Sequence, residues 1–127
     1  MLARPFMEPL SEDFQENLDR LIIESLENGC IWGLRDTEGH WATVESEEVA
    51  EITVMPFWSC QQLAQALCTE EWQIYTPVAI AIEEFLEDWL LGMHNDVLRV
   101  GVNWTTELEG EELEPLDLLE EFQSELE

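Results

Sequence analysis

Two histidines, His40 and His94, and three cysteines, Cys30, Cys60 and Cys68, are the side chains of this 127-residue sequence best suited to chemistry near neutral pH. A cysteine or serine nucleophile needs a base and a group that orients the base, and a distant His40 or His94 folded against Cys60 would supply the first of these. No glycine elbow, phosphate loop or dinucleotide fingerprint frames any of these residues. Neither histidine has a second one at the spacing that puts two ligands on one helix face. Cys60 and Cys68 lie about two helical turns apart, which makes them neighbours of a core stripe more readily than zinc ligands. An odd set of cysteines without paired spacing reads as reduced thiols. No metal and no cofactor is therefore expected. A hydrolase-type enzyme with an unrecognised site stands only as an alternative.

Carboxylates are abundant enough to imitate motifs. Asp36-x-Glu38-Gly39 places two of them ahead of a glycine but lacks the further oxygen ligands of a calcium loop, so a solvated turn is expected there. The pairs Glu47–Glu48, Glu83–Glu84 and Glu111–Glu112 have the types for acid and base roles. With 24 Glu and 6 Asp in the chain, such pairs arise by composition.

The same abundance decides which partners are excluded. Thirty acidic residues face four arginines, Arg4, Arg20, Arg35 and Arg99, and the net charge is -26. Such a chain repels phosphates, so direct binding to nucleic acid or to an anionic membrane surface is disfavoured, and a basic protein partner is favoured. Imitation of DNA is a second possibility. A folded chain of this mass exposes roughly 7,000 Å², or about one carboxylate per 230 Å², whereas duplex DNA carries about one charge per 110 Å². Mimicry would need the carboxylates gathered on about half the surface, and a solvated acidic face is the simpler expectation.

Five aromatic residues, Phe57, Trp58, Trp72, Tyr75 and Trp104, fall at the ends or connections of expected elements. They are the candidate partner-binding residues. A small domain also has to bury such rings, so exposure separates a contact hot spot from a core residue. An interaction surface around Trp58 and Trp72, with acidic rims, is the leading functional expectation, and it makes the chain a noncatalytic interaction or regulatory domain.

The elements that would position these residues follow from periodicity. Residues 1–9, with Pro5 and Pro9, read as an arm, and residues 10–127 as a single domain. Phe14, Leu18, Leu21, Ile22 and Leu26 give a one-sided helix over 11–28, stopped at Gly29. Residues 31–34 and 41–44 flank the 36–39 turn as a hairpin, and 52–55 form a strand closed by Pro56. Ser59 with Gln62 reads as a capping box for a helix along Leu63, Ala64 and Leu67. Strand 78–82 feeds a helix carrying Phe85, Leu86, Trp89, Leu90 and Met93; 97–102 is a last strand, and an acidic helix from Pro115 ends the chain. The expected fold is α+β: one small antiparallel or mixed sheet of about five short strands with about four helices packed on it.

No run approaches the roughly 20 apolar residues needed to span a bilayer, and the first residues lack the basic-then-apolar order of a signal peptide. A cytoplasmic protein is expected, with no membrane contact and no particular oligomeric state implied.

With these motifs placed, Ile31-Trp32-Gly33-Leu34, Gly39-His40-Trp41-Ala42 and Met55-Pro56-Phe57-Trp58-Ser59 resemble the bacterial domain-of-unknown-function family numbered 2750. The helix of Ala64 leading to Trp72, Glu84-Phe85-Leu86 with Trp89-Leu90, and Gly101-Val102-Asn103-Trp104 extend the resemblance over about residues 31–119. It implies bacterial origin and a compact α+β fold, and it carries no catalytic residues. A looser similarity of pattern to the N-terminal domain of SseB-like secretion-associated proteins implies protein binding.

Overall fold

Asp13, rather than Ser11, starts the first helix. The computed structural model describes residues 10–126, and the arm expected over 1–9 lies outside them. In α1 (Phe14–Asn28) the Asp13 carboxylate accepts backbone N–H bonds from Gln15 and Glu16, an N-cap. Ser11 is instead tied to Asn17, whose side chain accepts from Ser11 N–H at 2.9 Å and donates to Ser11 C=O at 2.8 Å. Gly29, at φ 77, closes the helix by donating to Ser25 C=O, in the left-handed conformation that glycine adopts without strain. Leu18, Leu21 and Ile22 are buried as expected, while Phe14 is exposed at the first turn.

The strands are β1 (Cys30–Arg35), β2 (Val44–Glu45), β3 (Thr53–Phe57), β4 (Thr76–Ala81), β5 (Arg99–Val102) and β6 (Glu111–Leu113). The fold is α+β, and among the described residues six strands form two small sheets where one of about five was expected. β1 and β4 pair antiparallel, and the second sheet has the order β2-β3-β5-β6, with β3 and β5 parallel. Trp32 and Trp58 exchange two 2.8 Å backbone bonds and stitch the sheets together.

The expected hairpin is only half formed. The turn closes, with Asp36 N–H on His40 C=O at 2.9 Å and Ala42 N–H on Leu34 C=O at 2.8 Å. Beyond that the chain leaves β1, whose six-residue ladder is made with β4, and Val44–Glu45 pair with β3. β3 also continues through Pro56. Phe57 C=O accepts from Asn103 on the β5 side, so alternation points the missing Pro56 donor away from β5, past the two-residue reach of β2.

Two short helical segments follow β3: α2 (Gln61–Gln65) and a 3-10 turn at Glu70–Trp72. α3 (Ile82–Glu84), a π turn (Phe85–Trp89) and α4 (Leu90–Asn95) form one continuous helix, and α5 (Pro115–Leu126) closes the fold. One core holds Leu21, Ile31, Phe57, Phe85, Val100 and Phe122, and the second holds Leu34, Val54, Trp58, Leu63 and Trp104. Among the described residues no helix is long and apolar enough to cross a membrane.

α4 ends on an unfavourable residue. Val97 N–H donates to His94 C=O at 3.1 Å and Leu98 N–H to Met93 C=O at 2.9 Å, the paired bonds of a Schellman cap. Val97 takes the left-handed position at φ 60, normally a glycine's, and is 65% exposed. The left-handed conformation costs a side chain roughly 1–2 kcal/mol. Part of that gain is offset by the extra freedom glycine has when unfolded. Val97→Gly is therefore expected to stabilise the fold by about 0.5–1 kcal/mol. The check is a higher urea midpoint with an unchanged slope.

Candidate functional site

Three of the five aromatic candidates are core residues, which corrects the expected surface. β3 and β5 run parallel, so Phe57-Trp58-Ser59 and Asn103-Trp104 leave the sheet at the same end and fold into each other. Phe57 is buried edge-on against Phe85, with ring centroids 4.9 Å apart, and against Trp89 at 5.9 Å. Trp58 is 0% exposed, and its indole N–H donates to Trp104 C=O at 2.9 Å. The Trp104 indole N–H reaches Glu111 C=O at 3.0 Å, and its ring fills the space above Gly101 and Gly110, where a methyl on either would overlap it.

A buried polar pin holds this junction. Asn103, at φ 46, accepts the Ser59 N–H at 3.0 Å and donates to Asn17 C=O at 3.1 Å and Ser59 Oγ at 3.2 Å. Ser59 Oγ in turn donates to Glu24 Oε1 at 2.7 Å, and Glu24 pairs with Arg20 at 2.9 Å. The capping box expected from Ser59 and Gln62 is thus not made: α2 starts after Cys60 without a side-chain cap. Ser59 serves the long-range cluster because its buried hydroxyl needs partners there.

Trp72 and Tyr75 remain at the surface, both half-buried. The 3-10 turn is continued by Tyr75 N–H on Trp72 C=O at 3.1 Å, which brings the two rings to a 5.3 Å centroid separation at 43°. Their inner edges pack on the second core. Between them Ile74 is 53% exposed. Glu70 and Glu71 stand exposed beside Trp72, around a shallow pocket of about 270 Å³ that also includes Leu67 and Leu108. Sequence reasoning passed over Ile74. Its only signal was a lone apolar residue between two aromatics in a segment without helical or strand period.

The candidate chemistry is dispersed. His40 is an exposed turn residue 3.6 Å from Asp36 and 3.9 Å from Glu38. His94 is exposed at the end of α4, and Cys60 Sγ donates to Gln62 Oε1 at 2.9 Å, so neither histidine is hydrogen-bonded to that thiol. Burial pushes the Cys68 thiol above its ordinary range, away from the thiolate form that a nucleophile needs. Asp36 is occupied by its own turn. The N–H of His40, then that of Glu38, each 2.9 Å from Oδ1, hold its carboxyl below the ordinary value against a smaller opposing effect of desolvation. Among the described residues no group of three His, Cys, Asp or Glu side chains could hold a metal ion.

Among the described residues Glu112 is the one buried carboxylate, and its oxygens already have partners. Ser46 Oγ donates to it at 2.6 Å and Glu47 N–H at 3.2 Å. Arg99 Nε stands 3.2 Å away, off the hydrogen-bond line but in range of the charge, while its terminal nitrogen donates to Glu112 C=O at 3.1 Å. This cluster fixes β6 to β5 and to the segment after β2. The other described carboxylates are distributed over residues 12–27, the 36–38 turn, the 45–51 segment, Glu70 and Glu71, residues 83–96 and residues 107–125.

A family model described as protein of unknown function (DUF2750) matches residues 18–122, from the first buried turn of α1 to Phe122 in α5. The chain belongs to the DUF2750 family. The matched span includes the buried residues of both core clusters, the Asn103, Ser59 and Glu24 members of the pin, and the Trp72–Tyr75 turn. No curated protein and no solved structure matches the chain.

Proposed function

We propose that this DUF2750 protein is a noncatalytic domain that binds a basic protein partner through Trp72, Ile74 and Tyr75. The observation that carries this reading is Ile74, 53% exposed and lying in sequence between Trp72 and Tyr75, whose tilted rings meet at 5.3 Å and pack on the second core. Ordering such a surface on binding costs little entropy, since the rings are already held, and aromatic anchors are the usual centre of an interface. Glu70 and Glu71 beside it, within a chain of net charge -26, steer a basic partner toward the turn.

Ile74→Ser tests this without disturbing the core. Wild-type and variant proteins are immobilised, loaded with bacterial lysate at 0.15 M salt and washed at 1 M, where exposed charge pairs are screened to a length of about 3 Å. The expected result is a retained protein that survives 1 M salt on the wild type and falls at least about tenfold on Ile74→Ser, as for loss of a hot-spot contact. The thermal midpoints should agree within about 2–4 °C, a difference of no more than about 1 kcal/mol. Equal retention by both columns contradicts the reading. Retention of nucleic-acid-binding proteins that duplex DNA displaces would replace it with DNA mimicry.

A further inference from the structure

Bond directions in the β1–β4 pair determine which main-chain groups its outer edge presents. Trp32 turns its N–H and C=O to Trp58, Leu34 turns its C=O to Ala42, and Ile82 N–H reaches back to Gly29 at 3.0 Å. Main-chain groups alternate sides along a strand, so Ile31, Gly33 and Arg35 are the β1 residues bonded to β4. Their register partners Ile80, Val78 and Thr76 face β1, and Pro77, Ala79 and Ala81 face outward. Among the described residues no strand lies on that side, and Ala79 and Ala81 are exposed. The edge therefore presents the Pro77 C=O, both groups of Ala79 and the Ala81 N–H.

Residues 76–82 carry no charge, in a chain with 30 acidic residues. Open edges are usually blunted by charge, bulges or proline, and here only Pro77 does so. Exposed carboxylates stand at both ends: Glu70 and Glu71 before the strand, and Glu83, Glu84 and Glu87 after it.

We infer that this edge takes up a strand from the protein partner, an extended segment with an uncharged centre and Lys or Arg at both ends. The inference rests on the interaction surface proposed above, because Ile74 and Tyr75 run directly into Thr76, the first residue of the edge strand. Main-chain bonds to Ala79 set the register of the guest strand. Ala79 lies opposite the half-buried Trp32, so a bulky apolar guest residue beside Ala79 extends that cross-strand row. A second copy of this chain fits poorly. Antiparallel pairing about Ala79 would set Glu83 and Glu84 of each copy opposite Tyr75 and Ile74 of the other, with Glu70 and Glu71 just beyond them, so that acidic residues gather at both ends with no base within 70–84 to offset them.

The probe is a library of nine-residue peptides with Lys or Arg at both ends and Val, Ile, Phe or Thr at the centre, titrated into the isotopically labelled full chain. Members that dock are expected to shift the Ala79 and Ala81 amide signals and slow their hydrogen exchange at least about tenfold, as for other protected strand amides. The same peptides methylated on their central amide nitrogens are expected to do neither. Ala79→Pro removes an outward donor two residues from Pro77, so it is expected to keep cooperative unfolding and lose the peptide. A library in which no member protects Ala79, or members that bind equally well when methylated, would overturn the inference. So would protection of Ala79 that rises with protein concentration alone, which would give the edge to a second copy. If Ala79→Pro retains the lysate partner as the wild type does while Ile74→Ser loses it, the strand inference fails and the interaction surface stands. If Ile74→Ser retains the partner and Ala79→Pro loses it, the anchoring turn fails and the strand stands.

Discussion

Trp58→Ala is expected to lower folding stability by about 3–5 kcal/mol, the range for truncating a fully buried aromatic side chain. Trp58 is among the largest fully buried side chains and seals the second core, with Leu63, Ala64 and Trp104 in the same cluster. Its removal also leaves Trp104 C=O without the 2.9 Å indole donor, at a position where water cannot easily replace it. For a domain whose total stability is about 5–15 kcal/mol, that loss removes a large share of the folded margin. Urea unfolding followed by far-UV circular dichroism checks it. Trp58→Phe, which keeps most of the volume and loses the N–H, should fall between the two proteins. A Trp58→Ala protein with a wild-type midpoint and weakened partner capture would return Trp58 to the surface role its place in the sequence first implied.

The second large effect is expected at Asn103. Asn103→Ala deletes the acceptor for Ser59 N–H and the donor to Asn17 C=O and Ser59 Oγ, in a site that is fully buried. Each buried group left unpaired costs about 1–3 kcal/mol, and alanine gains nothing from the left-handed backbone at φ 46, so a loss of about 2–4 kcal/mol is expected. Asn103→Gly relieves the backbone while losing the same hydrogen bonds, and should be about 1 kcal/mol less destabilised than the alanine variant. Equal midpoints for the wild type and Asn103→Ala would mean that the pin contributes nothing.

The contrast between these residues and Ile74 shows what was legible in the sequence. α1, β4, the α3–α4 helix and α5 were readable because their apolar spacing, Gly29 and Pro115 are local signals. β6 was hidden in the acidic run 107–114, because Glu112 is buried by Arg99 and Ser46, partners remote in sequence. The pairing of β1 with β4 instead of with residues 41–44 is equally nonlocal. Ser59 was read as a cap because Gln62 follows at the right distance, and only the fold shows that Glu24 and Asn103 claim it. Trp58 and Trp104 stand at strand ends, where alternation no longer tells inside from outside. Gly101 and Gly110, which make room for the Trp104 indole, were the available clue to its burial. Trp72 and Tyr75 were identified, but the exposed residue between them was not.

Hydrogen exchange of the full chain, with and without the salt-resistant protein retained on the wild-type column, tests the location of the interface most directly. New protection is expected to concentrate in residues 70–82, spanning Trp72, Ile74, Tyr75 and the outward amides of β4. Protection spread instead over the acidic stretch 107–125, with 70–82 exchanging as in the free protein, would contradict it.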